Sequence, residues 1–151
     1  MKKMSAIDSI KLHDRTWLIT GRRCENYVIH LYGNISCGKF KMVDCEIEGY
    51  LEIPKAMIGS GDYFALRADG DSMIEAGIYD GDIVIVEKNP SPMNGQIAVV
   101  MMEDEVVLKR FFKLEKEKKY LLHPENPNYE DIIIEQCSVL GVAVKVIGNL
   151  T

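Results

Sequence analysis

The chain lacks several features that would announce a function. No apolar run approaches the roughly 20 residues that span a bilayer, so no transmembrane helix is expected. Met1-Lys2-Lys3-Met4-Ser5 begins basic, but no apolar stretch follows, and a secretory signal is not expected. Cysteine is sparse: Cys24, Cys37, Cys45 and Cys137 lie at gaps of 13, 8 and 92, and no two form a C-x-x-C pair. That argues against both a zinc framework and a disulfide scaffold, and leaves a cytoplasmic protein with free thiols as the expectation. The three histidines (His13, His30, His123) are scattered without H-x-x-x-H or H-E-x-x-H spacing, so neither a metal nor a cofactor is expected. No Gly-x-Ser-x-Gly elbow, internal repeat or low-complexity tract is present.

What is there fits one ordinary globular domain: 151 residues, 47% hydrophobic and 27% charged. Charge is divided unevenly. Residues 1–36 carry a net +3 and residues 37–151 a net −8. Affinity for nucleic acid comes largely from neutralising phosphates, so the acidic body makes a poor DNA surface. Any such role falls to residues 1–36, which contain no recognisable helix-turn-helix.

Strand signals outnumber helix signals. Thr16–Thr20 and Tyr27–Tyr32 flank a Gly-Arg-Arg stretch and suggest a hairpin, while the glycine-punctuated residues 33–61 read as an irregular linker that is strand-like only in pieces. From Tyr63 onward, short apolar runs recur between turn signals: 63–68, 82–87, 96–102, 105–112, 120–123, 131–135 and 139–147. Asn94-Gly95, Glu103-Asp104 and Asp80-Gly81-Asp82 supply the turns. Only 72–77 suggests a helical turn, capped by Asp71 or Ser72. Evenly spaced short strands predict a mostly-β sandwich or partly closed barrel with little helix.

Two residues could carry chemistry. Ser72, in Gly70-Asp71-Ser72-Met73, follows a predicted strand; Lys109 sits inside another, among Val106, Val107, Leu108, Phe111 and Phe112. A serine hydroxyl is a weak nucleophile and needs a base beside it. Lysine serves as that base only when desolvation lowers its pKa. Strand alternation sends Lys109 and Arg110 to opposite faces, so one of them meets whatever packs there unless the strand is an edge. On these residues alone, Ser72 reads first as a turn or cap residue and the Lys-Arg pair as a solvated edge.

The arrangement of motifs changes that balance. Gly70-Asp71-Ser72-Met73 with Gly77-Ile78-Tyr79-Asp80-Gly81-Asp82 resembles the serine motif of the LexA/UmuD family of self-cleaving peptidases. Val107-Leu108-Lys109-Arg110 resembles its lysine motif, at the family's serine-to-lysine interval of 37. Leu122-His123-Pro124-Glu125-Asn126-Pro127 and Gly141–Ile147 resemble its next two landmarks, so the similarity covers about residues 31–149. The family breaks an Ala-Gly or Cys-Gly bond about 35 residues ahead of the serine, and Cys37-Gly38 stands at that distance from Ser72.

The resemblance implies a LexA-like β-fold in which Ser72 and Lys109 form the catalytic dyad and cut Cys37–Gly38. Backbone N–H groups at Asp71 and Ser72 would then serve as oxyanion donors. It further implies a homodimer, stimulation by an activated RecA filament, and an SOS-response repressor that binds DNA through a domain not complete here. Residues 1–36 are accordingly expected to be an N-terminal segment with hairpin and linker, and 37–151 the peptidase domain. Two other readings stay open. One is a UmuD-like accessory protein of a translesion polymerase, which the Cys-Gly bond suits; the other is a non-catalytic β-rich interaction module. Type I signal peptidases also pair Ser-Met with Lys-Arg, but the Gly-x-Pro-Gly-Asp that follows in them is missing, as is an apolar anchor.

Overall fold

The computed structural model describes residues 25–33, 47–89, 91–103 and 105–150 in full, and 7–12 and 16–21 as backbone. Strands dominate: β1 (Ile7–Leu12), β2 (Thr16–Gly21), β3 (Asn26–Tyr32), β4 (Ile47–Pro54), β5 (Tyr63–Arg67), β6 (Ile83–Glu87), β7 (Ile97–Met102), β8 (Glu105–Leu114), β9 (Lys119–His123), β10 (Ile132–Ile134) and β11 (Ser138–Ile147). The described helix is confined to α1 (Lys55–Ile58) and one 3-10 turn, Ile74–Ala76. The mostly-β expectation holds. Among the described residues, nine strands form one open sheet in the order β10-β9-β8-β7-β11-β6-β5-β3-β4, with β10 and β4 at its edges. No helix among the described residues is long and apolar enough to cross a membrane.

β5, β6 and β7 are covered on both faces over most of their length. Alternate residues of β5 feed two clusters: Phe64 and Leu66 join Tyr32, Met73, Ile78, Val84, Val86 and Val99. Tyr63 and Ala65 join Ile29, Leu31, Ile53 and Ile85. A third cluster gathers Ala98 and Val100 of β7 with Phe111 and Leu122. Two-sided burial explains why β5, β6 and β7 read as nearly unbroken apolar runs, since their central positions have no water to face. Each fully buried large side chain, Phe64 for example, contributes about 1.5–3 kcal/mol relative to exposure.

The structure departs from the sequence reading upstream of Tyr63. Thr16–Thr20 does not pair with Tyr27–Tyr32; β2 pairs with β1, from Ile7↔Gly21 to Leu12↔Thr16. β3 instead lies between β4 and β5, antiparallel to the first and parallel to the second, because its Ile29 and Leu31 must be buried. The main sheet therefore takes in Asn26–Tyr32, which the charge-based division left on the N-terminal side. The supposed linker holds the eight-residue β4. As an edge strand it buries only Ile53 and exposes Glu48, Tyr50 and Glu52, so it lacked an apolar signature.

β11 lies inside the sheet. Its first half pairs with β7 from Ser138↔Met101 to Val142↔Ala98, and its second half with β6 as far as Ile147↔Ile83, with a register shift in each ladder. Gly141 makes that crowding tolerable: a Cβ there would stand 2.4 Å from the Glu87 carbonyl oxygen and 2.5 Å from Val86 Cγ1. Gly141→Ala should therefore lower stability by about 1–3 kcal/mol, as overpacked cores do. Gly49→Ala on β4, where nothing lies within 4 Å, should change it by less than about 0.5 kcal/mol. Urea unfolding of the two variants beside the parent checks the pair; equal midpoints would refute it.

Candidate active site

The chain leaves β5 at Arg67 and returns at Ile83 through a loop that carries Ser72. The loop contains a single 3-10 turn, Ile74–Ala76, and is held by polar contacts. Gly70 takes a left-handed φ of 87° and donates its N–H to Asp80 Oδ1 at 2.8 Å. The Asp80-Gly81-Asp82 turn binds back to the loop's start: Gly81 N–H meets the Ala68 carbonyl at 2.9 Å, and Ala68 N–H meets that of Asp82 at 2.7 Å. Asp82 is itself buried and accepts the Tyr79 N–H at 2.9 Å. That turn is thus a brace for the serine loop. Buried Met73 fastens the loop to the core at 4% exposure.

Neither Asp71 nor Ser72 caps the following turn. Met73 takes the N-cap position and no side chain bonds there. The Ser72 hydroxyl is engaged elsewhere: its Oγ lies 2.8 Å from Lys109 Nζ. Sequence reasoning named both residues, and the fold brings them together across 37 positions. β8 makes this approach reproducible because it is paired on both sides, Ala98↔Lys109 to β7 and Arg110↔His123 to β9. Arg110 takes different partners from its neighbour, the Glu125 carboxylate and the Gly95 carbonyl.

Lys109 and Ser72 face a cavity of about 350 Å³, whose apolar wall includes Leu66, Met73, Ile78, Val99 and Leu108. Burial among these groups pushes the Lys109 pKa down, because the ammonium loses hydration. The Glu105 carboxylate, at the start of the same strand, pulls in the opposite direction but more weakly. A depressed lysine pKa favours the neutral amine, the form that can accept a proton from the serine hydroxyl.

Four residues beside the dyad escaped the sequence reading as site groups. Asn126, 3% exposed, donates through Nδ2 to the Asp71 carbonyl at 2.8 Å. The Tyr129 hydroxyl donates to Asp71 Oδ1. The Glu125 carbonyl accepts the Glu75 N–H at 2.8 Å, and Asp80 binds Gly70 as described. Asn126 and Glu125 lie within the Leu122–Pro127 motif, so a signal existed, though not for this role. Cys37 and Gly38 lie outside the described residues, as do Cys24 and Cys45. Cys137 is a free thiol whose pKa burial pushes up.

A family model described as Peptidase S24-like matches residues 30–144. The chain belongs to this serine peptidase family. It is also similar to proteins named LexA repressor. That of Geobacillus sp. (strain WCH70) is 41% identical over 143 residues, 93% of this chain and 66% of that protein. That of Clostridium perfringens (strain SM101 / Type A) is 43% identical over 118 residues, 77% of this chain and 57% of the relative. That of Geobacillus kaustophilus (strain HTA426) is 46% identical over 123 residues, 80% and 56% of the two lengths. The chain thus spans somewhat over half of these relatives, and the resemblance to the LexA/UmuD type holds.

The lowered lysine pKa has a stability consequence of definite sign. Below its folded pKa, Lys109 is charged in both states and the fold bears the full desolvation penalty. Between that pKa and the ordinary 10.5 the unfolded chain binds more protons, so stability rises with pH until the penalty is gone. In a Ser72→Ala background, Lys109→Met should therefore be more stable than Lys109 at pH 7. The advantage should shrink as pH approaches 10.5. Urea melts from pH 6 upward measure it; a difference independent of pH would refute the burial argument.

Proposed function

We propose that this chain is the peptidase domain of a LexA-like repressor and cuts its own Cys37–Gly38 bond. The observation that carries this reading is the 2.8 Å approach of Lys109 Nζ to Ser72 Oγ in a partly apolar cavity. Neutral Lys109 takes the Ser72 proton as Oγ attacks the Cys37 carbonyl carbon. The carbon–nitrogen bond to Gly38 then breaks, and Lys109 returns the proton to the departing amine. Neutral Lys109 then deprotonates a water that attacks the Cys37 ester; the carbon–Oγ bond breaks and Lys109 returns the proton to Ser72 Oγ. We assign the N–H groups of Asp71 and Ser72 as donors to the oxyanion, because preorganised backbone dipoles stabilise such charge well. Since bond and nucleophile share a chain, the effective concentration is high and restraint must come from geometry.

An activated RecA filament fits the role of partner, favouring the form in which the cleavage segment reaches the dyad. DNA recognition falls to a part of the repressor outside the 37–151 domain. The domain is also proposed to self-associate. From Ala143 to Ile147, β11 pairs with β6 only, and Val144, Val146 and Ile147 are exposed beside it. A second copy would cover that apolar strip.

Incubation at alkaline pH should produce a fragment that begins at Gly38, identified by mass spectrometry. Ser72→Ala should abolish it, and Lys109→Arg should be inactive near neutrality because guanidinium stays charged. Arg110→Ala should retain measurable cleavage if folded. A different new N-terminus, or an active Ser72→Ala protein, would sink the assignment. For self-association, sedimentation at micromolar concentration should give a dimer in the parent. Val146→Glu should shift it toward monomer; a monomeric parent overturns the proposal.

A further inference from the structure

The segment between β9 and β10, residues 124–131, has no regular structure yet bonds to the serine loop at residues 125, 126 and 129. Pro124 is fully buried and Glu125 is joined to Arg110, which fixes the segment's start. His123 and Asp131, at the two flanks, are joined by a hydrogen bond of 2.5 Å between Nδ1 and Oδ1. Between these anchors the segment reaches across to the residue before the nucleophile, at two separate atoms. Asn126 Nδ2 holds the Asp71 carbonyl at 2.8 Å, and the Tyr129 hydroxyl holds the Asp71 carboxylate. Asn126 is itself oriented, since its Oδ1 accepts the Asn128 N–H at 2.9 Å and its carbonyl accepts the Tyr129 N–H at 3.1 Å.

We propose that this strap, through Asn126 and Tyr129, is a positioning element that sets Ser72 against Lys109; the inference rests on the dyad reading above. Asn126 suits the task because a carboxamide donates and accepts at once, so one buried side chain ties the serine loop to the strap's own turn. Asp71 and Ser72 share a peptide unit, so fixing the Asp71 carbonyl fixes the plane from which Ser72 projects. The following 3-10 turn is only three residues long and has no side-chain cap, and on its side of the loop these contacts add to the Ile74 N–H bond in holding the Asp71 carbonyl. A displacement of about 1 Å between reacting groups lowers a rate by as much as ~10²-fold.

The strap also reaches the cavity, through Tyr129, which lines its wall and which the Asn126 turn holds by the Tyr129 N–H. Arg67, Asp69, Asp71, Glu105 and Tyr129 are the ionisable groups that line it with Lys109. Loosening the wall admits water, and a better hydrated Lys109 titrates nearer its ordinary value. Positioning therefore has a signature that a mere loss of folded protein lacks: the midpoint of the pH–rate profile moves upward.

Asn126→Leu and Tyr129→Phe test this, because neither adds a charge near Lys109. First-order self-cleavage would be followed from pH 6 to pH 10.5 in the full chain, with thermal unfolding monitored in parallel. The expected result for Asn126→Leu is a rate loss of about tenfold or more and a raised midpoint in protein that remains folded. Tyr129→Phe should shift both in the same direction by less. If Asn126→Leu unfolds below the assay temperature, Tyr129→Phe decides alone, since Tyr129 is half exposed and its ring is kept. Parental rate and midpoint in the folded variants would overturn the proposal, and so would a rate loss with an unmoved midpoint. Cleavage that persists in Ser72→Ala would overturn the dyad reading instead, whatever the strap variants do.

Discussion

The structure turns on an amine that water would keep charged and that the fold holds away from water. Lys109 Nζ sits 2.8 Å from Ser72 Oγ, and burial makes its neutral form easier to reach. The tendency is tempered by Glu105, whose charge favours the ammonium. A lysine balanced this way is of no use to stability, because the desolvated charge works against folding over the neutral range. Its place in a strand paired on both edges is consistent with that: β7 and β9 supply ladder bonds that hold the backbone regardless of the side chain's protonation.

The serine half of the pair has the opposite problem. It rides on a loop between β5 and β6, where no ladder fixes the backbone. Two polar clamps replace the ladder. On one side the Asp80-Gly81-Asp82 turn grips Ala68 and Gly70; on the other, residues 125, 126 and 129 grip Glu75 and Asp71. Each net hydrogen bond is worth about 0.5–1.5 kcal/mol, and a buried one left unmade costs more than it would have contributed. The loop's conformation is therefore specified chiefly by the penalty for disordering it. Met73 adds the apolar anchor that keeps the assembly pressed on the core.

This division of labour explains what could be read from the residues. β5 to β7 were legible because two-sided burial demands apolar runs, and β8 to β11 because β-branched and aromatic residues cluster in them; turn residues bound most of these runs. β1 and β4 were not. Ile7-Asp8-Ser9-Ile10-Lys11-Leu12 shows no alternation, and β4, at the sheet's edge, shares its face with glutamates and an exposed tyrosine. Partner choice for β2 and β3 was misread because it depends on burial of Ile29 and Leu31 by distant strands, a long-range fact that a Gly-Arg-Arg turn signal cannot carry. Ser72 and Lys109 were ambiguous as isolated residues and became specific through motif order and interval. Asn126 stood inside a quoted motif, yet its link to Asp71 spans 55 positions, and no local pattern encodes such a bond.

The placement of β3 gives the proposed cleavage a further physical consequence. The Cys37–Gly38 bond lies in the connection between β3, which ends at Tyr32, and β4, which begins at Ile47. Scission there would cut the chain between those neighbours, but not their ladder, which runs from Asn26↔Pro54 to Tyr32↔Ile47. β3 is also paired with β5 at Leu31 and Tyr32, and its Ile29, Leu31 and Tyr32 are each 5% exposed or less. Pulling β3 out would expose three large apolar side chains, at about 1.5–3 kcal/mol each, besides unmaking its ladder. The cut would thus separate sequence without immediately separating structure. Any change in what the upstream segment does after cleavage must then come from lost covalent restraint, which lets β3 leave at the rate its burial permits. On the proposed mechanism, the lifetime of the cut but still assembled sheet would belong to β3, while the rate of the cut itself would belong to Lys109 and Ser72.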